Sequence, residues 1–112
     1  RPGKEMFIEL TGIRDILARA KEWREIGVER MVYHRGWDEG NQSRTWDEKD
    51  RVIIRELTEM GFKISVAGGI DLELLPFFSN LDIKVFIIGR AIREAEDPPA
   101  EARKFRQLID EL

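Results

Sequence analysis

The chain contains no cysteine and a single histidine among 112 residues. Without cysteine there is no disulfide framework, no thiolate nucleophile and no thiolate metal site. One histidine cannot build a multi-histidine zinc centre within one chain. No apolar run approaches the roughly 18 residues that a membrane helix needs, and no signal-peptide pattern opens the sequence. A net charge of −3 and the lack of a basic run with interleaved aromatics give no general attraction to nucleic acid or an anionic membrane. There is no low-complexity tract, linker or block of like charge. These absences leave a globular domain expected in the cytoplasm, with 37% charged and 42% hydrophobic residues.

What is present is organised around Val85-Phe86-Ile87-Ile88-Gly89-Arg90. An apolar, strand-like run stops at a glycine and passes into a short helical pattern, Ala91-Ile92-Arg93-Glu94-Ala95. About twenty residues earlier the chain does the same, Ile64-Ser65-Val66-Ala67-Gly68-Gly69 leading to Asp71-Leu72-Glu73. Bare backbone at such a turn can approach an anion, a helix start adds N–H groups and its positive dipole end, and Arg90 adds a forked cation. Two successive strands ending in glycine are how a (β/α) barrel holds phosphate after its last two strands. The alternatives are that glycines merely make tight turns and that Arg90 pairs with Glu94.

In order, Met6-Phe7-Ile8-Glu9-Leu10 reads as a first strand. Ile13, Ile16, Leu17, Ala20, Trp23 and Ile26 then recur at helical spacing, with Gly27 as the stop. Glu29-Arg30-Met31-Val32-Tyr33 is a second strand running into His34-Arg35-Gly36-Trp37-Asp38. Thr45-Trp46-Asp47-Glu48 fits a capping box for a helix with Ile53, Leu57 and Met60 inward, ending at Gly61. Trp37 and Trp46 flank the intervening loop as anchors. Strand three runs from Phe62 to Ala67. Asp71 reads as the N-cap of a short helix carrying Leu72, Leu75 and Phe78, and strand four runs from Ile83 to Ile88. Asp97-Pro98 opens a last helix with Ala102, Phe105, Leu108, Ile109 and Leu112 on one face. Glu22, Arg24, Glu56 and Glu59 read as a solvated helix surface.

This βαβαβαβα order implies parallel strands with right-handed crossovers. Four such units are half of a (β/α)8 barrel, so residues 1–112 read as one half-barrel segment. An open four-stranded α/β sheet is the structural alternative. In either architecture the C-terminal strand ends line the site. Here these carry Glu9, His34, Arg35, Gly68, Gly69, Gly89 and Arg90. An acid, an imidazole, guanidinium groups and glycine turns suit an anionic sugar phosphate and a proton transfer. Their structural alternatives are a solvent-facing Glu9, a loop histidine at 34 and an ion-paired Arg35.

Ile8-Glu9-Leu10-Thr11-Gly12, Val32-Tyr33-His34-Arg35, Met60-Gly61-Phe62-Lys63, Gly68-Gly69 and Phe86-Ile87-Ile88-Gly89-Arg90-Ala91-Ile92 resemble the 3-keto-L-gulonate-6-phosphate decarboxylases. These belong to the orotidine 5′-phosphate decarboxylase group of (β/α)8 barrels, and the likeness corresponds to strands five to eight. The resemblance implies a lyase of ascorbate catabolism that releases CO2 to give a magnesium-stabilised enediolate, then L-xylulose 5-phosphate. It implies that Glu9 contacts substrate hydroxyls, that His34 handles protons and that Gly69, Gly89 and Arg90 form the phosphate cradle, while Arg35 and Gly68, at the same strand ends, are expected to bind substrate as well. The family's Asp-x-Lys-x-x-Asp motif and its strand-two glutamate do not occur here. Magnesium, implied as cofactor, would draw its ligands from an N-terminal half that this segment lacks. A homodimer, or pairing with that N-terminal half-barrel, is the expected association.

Two departures bear on the reaction. The family usually reads His-Arg-Ser-Arg-Asp where this chain has His34-Arg35-Gly36-Trp37-Asp38, and Thr-Gly-Gly where it has Ala67-Gly68-Gly69. Ala-Gly-Gly is closer to the sister aldolase, hexulose-6-phosphate synthase, which usually carries aspartate at the Glu9 position. Aldolase chemistry is therefore one alternative, and a non-catalytic phosphate-binding half-barrel is another.

Overall fold

A computed structural model describes residues 6–10, 15–34 and 46–112. Strands β1 (Phe7–Glu9), β2 (Arg30–His34), β3 (Lys63–Ala67) and β4 (Ile83–Ile87) are joined by α1 (Ile16–Glu25), α2 (Glu48–Glu59) and a 3-10 turn at Leu75–Phe78. The single turn α3 (Arg90–Arg93) and the helix α4 (Pro98–Asp110) follow. No helix among the described residues is long and apolar enough to cross a membrane.

Both long βα units stop their helices in the same way. Gly27 donates its N–H to Arg24 O and Val28 to Trp23 O, while Gly61 donates to Thr58 O and Phe62 to Leu57 O. These are paired 5→2 and 6→1 closures, with the glycines at φ +93° and +98°, where a side chain would be strained. The next strand therefore begins within a few residues of each helix.

Helix α2 starts differently from the sequence expectation. Asp47 is its N-cap: its Oδ1 accepts from Asp50 N at 3.3 Å, while Asp50 Oδ2 accepts from Asp47 N at 2.9 Å. The reciprocal geometry of a capping box is kept, but with aspartate at both positions rather than Thr45 and Glu48. Thr45 lies outside the described residues.

The short helix expected after Asp71 forms as a 3-10 helix, Leu75–Phe78, rather than an α-helix. Asp71 Oδ1 accepts from Leu74 N at 2.9 Å, and a 3-10 turn follows. Pro76 has no N–H to give to Leu72 O and would clash with it, which stops an α-helix from passing through. Leu75 and Phe78 nevertheless reach the core as the spacing requires.

The strands pair in parallel in the order β1-β2-β3-β4. A monotonic order with right-handed crossovers puts every helix on one face, as in a barrel wall. Leu10, Met31, Tyr33, Ile64 and Val66 pack on that face with Ala20, Ile54, Leu57 and Phe105 from the helices. The other face carries Phe7, Glu9, Val32, His34, Ser65, Ala67, Val85 and Ile87, matched in register. It is open at the edges: Phe7 is 46% exposed, Val85 44% and Ile87 45%.

A β-bulge on β4, opposite the step from Ile64 to Ser65 of β3, sets the phase of β4. Ile64 pairs with Ile83 but Ser65 with Val85, so Lys84 is skipped and points to solvent beside Asp82. The slip turns Phe86 toward the helices, where its ring meets Phe78 edge-on at 5.5 Å.

One expectation about helix surfaces is corrected and another is extended. Along α4, which packs beside α3, only Phe105 is fully buried and Ile109 partly so, while Leu108 and Leu112 are exposed. Arg24 is not simply solvated: its Nε donates to Met60 O at 3.1 Å and its guanidinium lies 5.7 Å over the Phe62 ring, tying α1 to the end of α2.

The buried polar link is between β2 and α2. Tyr33 donates its hydroxyl to Asp50 Oδ1 at 2.6 Å, and Asp50 is 2% exposed. Removing a donor from a buried carboxylate costs about 1.5–3 kcal/mol. Tyr33→Phe is therefore expected to lower the unfolding free energy by that amount in a urea titration. A change below about 0.5 kcal/mol would show that the bond contributes nothing net.

Candidate functional site

Parallel register fixes the level at which the four strands end. Glu9 pairs with Val32, His34 with Ala67, and Ala67 with Ile87. Glu9 and His34 therefore lie on the same open face, one strand and two residues apart, about 8 Å between Cα atoms from ordinary strand spacing. Gly68-Gly69 continues β3 one step beyond His34, and Gly89-Arg90 follows β4 at the neighbouring position.

Each of these groups has a distinct environment. Glu9 is exposed. His34 is half-buried, and its Nδ1 is buried without a hydrogen-bond partner among the described residues. Leaving such a nitrogen unpaired is unfavourable, so the imidazole sits where a further donor or acceptor would be welcome. Gly68 and Gly69 adopt φ +109° and +65°, a pair that only glycines take without strain. A Cβ built on Gly69 would meet nothing within 4 Å, so space lies over this turn. Gly89 opens α3, and a Cβ there would meet only Arg93 Nη1, at 3.7 Å.

Arg90 is 67% exposed and its Nε lies 3.5 Å from Glu94 Oε2. The ion pair weighed as the alternative is thus present. An exposed i,i+4 pair contributes only about 0.3–0.5 kcal/mol, too little to hold Arg90 against an arriving dianion. Helix α3 offers less to an anion than the sequence suggested. Helix α3 is a single turn, and its Ile92 and Arg93 N–H groups both turn back to Gly89 O, at 3.1 and 2.9 Å. Arg90 also lines a cleft of about 530 Å³ between α3 and α4, with Glu94, Glu96, Asp97, Glu101 and Lys104. Four carboxylates against two cations is the wrong sign for a phosphate, so that cleft is not the anion site.

Arg35 and Trp37 lie outside the described residues. Trp46, read from sequence as a loop anchor, is more than that: its Nε1 donates to Gly68 O at 2.8 Å. No local pattern marks that contact, which spans 22 residues. Among the described residues no three His, Asp or Glu side chains converge to hold a metal ion. Among the described residues Glu9 stands on the open face without two further carboxylate or histidine groups beside it to complete a metal site.

No protein-family model matches the chain. Among curated proteins, 3-keto-L-gulonate-6-phosphate decarboxylase UlaD of Salmonella typhi is 45% identical over 108 residues, which is 96% of this chain and 50% of the relative. Over nearly its whole length the chain is thus similar to one half of the 3-keto-L-gulonate-6-phosphate decarboxylases. It spans about half the length of the curated relatives it matches. A ligand-bound crystal structure of KGPDC from Streptococcus mutans superposes with TM-score 0.87 at 36% identity, over 96% of this chain and 49% of that one. 3-Hexulose-6-phosphate synthase from Salmonella typhimurium superposes with TM-score 0.81 at 28% identity, over 97% of this chain and 51% of that one. The four-stranded sheet is therefore half of the (β/α)8 barrel that decarboxylase and synthase share.

The orphaned Nδ1 of His34 separates a site residue from a structural one. Among the described residues nothing is lost by removing it, so His34→Leu is expected to leave the urea midpoint unchanged or slightly raised. A loss above about 1 kcal/mol would mean that the imidazole holds the fold.

Proposed function

We propose that the chain forms the C-terminal half of a sugar-phosphate decarboxylase barrel acting on 3-keto-L-gulonate 6-phosphate. The observation that carries this reading is the shared strand-end level of Glu9, His34, Gly69 and Gly89-Arg90 in a chain 45% identical to decarboxylases. The substrate is a β-keto acid. Losing CO2 leaves the bonding pair on the adjacent carbon as an enediolate, which needs one proton to become L-xylulose 5-phosphate. His34 is suited to deliver that proton, being a half-buried imidazole at the strand ends whose Nδ1 has no hydrogen-bond partner among the described residues. Glu9 accepts hydrogen bonds from substrate hydroxyls. Arg90 and the amides of Gly69 and Gly89 bind the phosphate, with Gly68 shaping the turn, and Arg35 extends the binding surface beyond β2.

Magnesium does not fit the described residues of this chain. The other four strands, from an N-terminal half in the same or a separate polypeptide, would hold it. Such a half would also cover the open face and pair with the free edges of β1 and β4. Mixed with an N-terminal half taken from a decarboxylase relative, the chain should form a one-to-one complex in sedimentation. A clean monomer at tens of micromolar that ignores the added half would rule this out.

The assembled barrel should release CO2 from 3-keto-L-gulonate 6-phosphate with magnesium present, and the chain alone should not. Absence of L-xylulose 5-phosphate from the assembled protein would sink the assignment. The second reading, aldol chemistry, is favoured by Ala67-Gly68-Gly69 and by the likeness to hexulose-6-phosphate synthase. Both reactions pass through an enediolate, so a formaldehyde-dependent product beside decarboxylation would support it.

Arg90 gives the sharpest single test. A charge-assisted bond to phosphate is worth roughly 1.5–3 kcal/mol, a tenfold to hundredfold change in affinity. Arg90→Ala should weaken inorganic phosphate binding by that factor with little change in melting temperature. Arg90→Lys should recover part of it, having the charge without the fork. Unchanged affinity in a folded Arg90→Ala protein would return Arg90 to its pairing with Glu94.

A further inference from the structure

We propose that Trp46 is a positioning residue that aims the Gly69 amide at the bound phosphate. The inference rests on the phosphate reading above and extends it to a residue to which that reading gives no role.

Trp46 precedes the Asp47 cap of α2 and is 9% exposed. Its Nε1 donates to Gly68 O at 2.8 Å. Its ring packs edge-on against Phe78, centroids 5.0 Å apart, and lies 6.0 Å from Phe77 and 5.8 Å from Tyr33. The indole therefore grips the Gly68-Gly69 turn directly and also packs on the 3-10 turn that follows it.

Two adjacent glycines at positive φ make the most pliable backbone in the site. Gly68 C=O and Gly69 N–H belong to one planar trans peptide, so they point in opposite directions. With the carbonyl held toward the buried indole, the amide must point away from it. Gly69 is exposed there, and a Cβ on it would find nothing within 4 Å. The Trp46 bond thereby fixes which way a phosphate-binding donor faces. Without it the peptide is free to rotate, and some of the binding energy goes into ordering it.

The test uses the 15N-labelled 112-residue chain titrated with inorganic phosphate. Trp46→Phe keeps a ring in the aromatic cluster and deletes the donor. Phe78→Leu is the packing control, removing the neighbouring ring and leaving the indole bond. Expected for Trp46→Phe are a phosphate Kd raised about tenfold, a reduced phosphate-induced shift at the Gly69 amide, and a lower heteronuclear NOE there without ligand. Phe78→Leu is expected to lose stability yet keep the Kd within about twofold. The proposal falls if folded Trp46→Phe keeps both its phosphate Kd and its Gly69 shift, or if Phe78→Leu weakens binding equally. Should the parent chain bind no phosphate, the phosphate reading itself fails. The pin is then judged by the ligand-free Gly69 amide, whose unchanged NOE in Trp46→Phe overturns it.

Discussion

In-register parallel pairing across β2 and β3 is the constraint on which the rest of this structure depends. It runs from Arg30 opposite Lys63 to His34 opposite Ala67 without a break. Because parallel strands share one direction, they end at one level, and every turn that follows opens on the same side. The glycine pair at 68-69, the Gly89-Arg90 step and His34 are neighbours for that reason alone. Sequential strand order adds the second consequence. The helices crowd onto one face, and the opposite face keeps exposed apolar residues at both edges. A half-barrel is thus internally packed on its outside and unfinished on its inside, where a closed barrel keeps its packed core beneath the site at the C-terminal strand ends.

The polar contacts reinforce this layout rather than create it. Tyr33 to Asp50 ties β2 to the start of α2, and Trp46 to Gly68 ties the same helix start to the end of β3. Both bonds meet at the N-terminal end of α2, capped by Asp47. The strand-end turns are thereby fastened to the helix layer behind them. Rigid support beneath a pliable glycine pair is what a precise anion cradle requires.

The surroundings of Arg90 show how local charge and site geometry compete. Its exposed pairing with Glu94 is weak by magnitude, while the acidic cleft beside it repels anions. A phosphate at the strand ends would therefore be drawn to the Gly69 side of the guanidinium and away from α4.

Much of the fold was legible in the residues. Strand runs, helix periodicity, the stops at Gly27 and Gly61 and the Asp97-Pro98 start all rest on interactions within a few positions, so short patterns determine them. The strand-end level of Glu9, His34, Gly69 and Gly89 was legible too, because βα alternation dictates it. The capping pair of α2 was not, since Thr45-Glu48 and Asp47-Asp50 satisfy the same local pattern and only the path of the chain into the helix selects between them. The bulge at Lys84 decides whether Phe86 or Ile87 faces the helices, and that choice is made by packing against Phe78. The i,i+4 pairing of Arg90 with Glu94 was legible, whereas the orphaned Nδ1 of His34 and the grip of Trp46 on Gly68 depend on surroundings or residues that no short pattern links. The sequence by itself determined which elements form and in what order. Tertiary structure alone decided which groups are buried, which carbonyl a distant indole holds, and which face of the sheet is left open, because these depend on contacts between segments far apart in the chain.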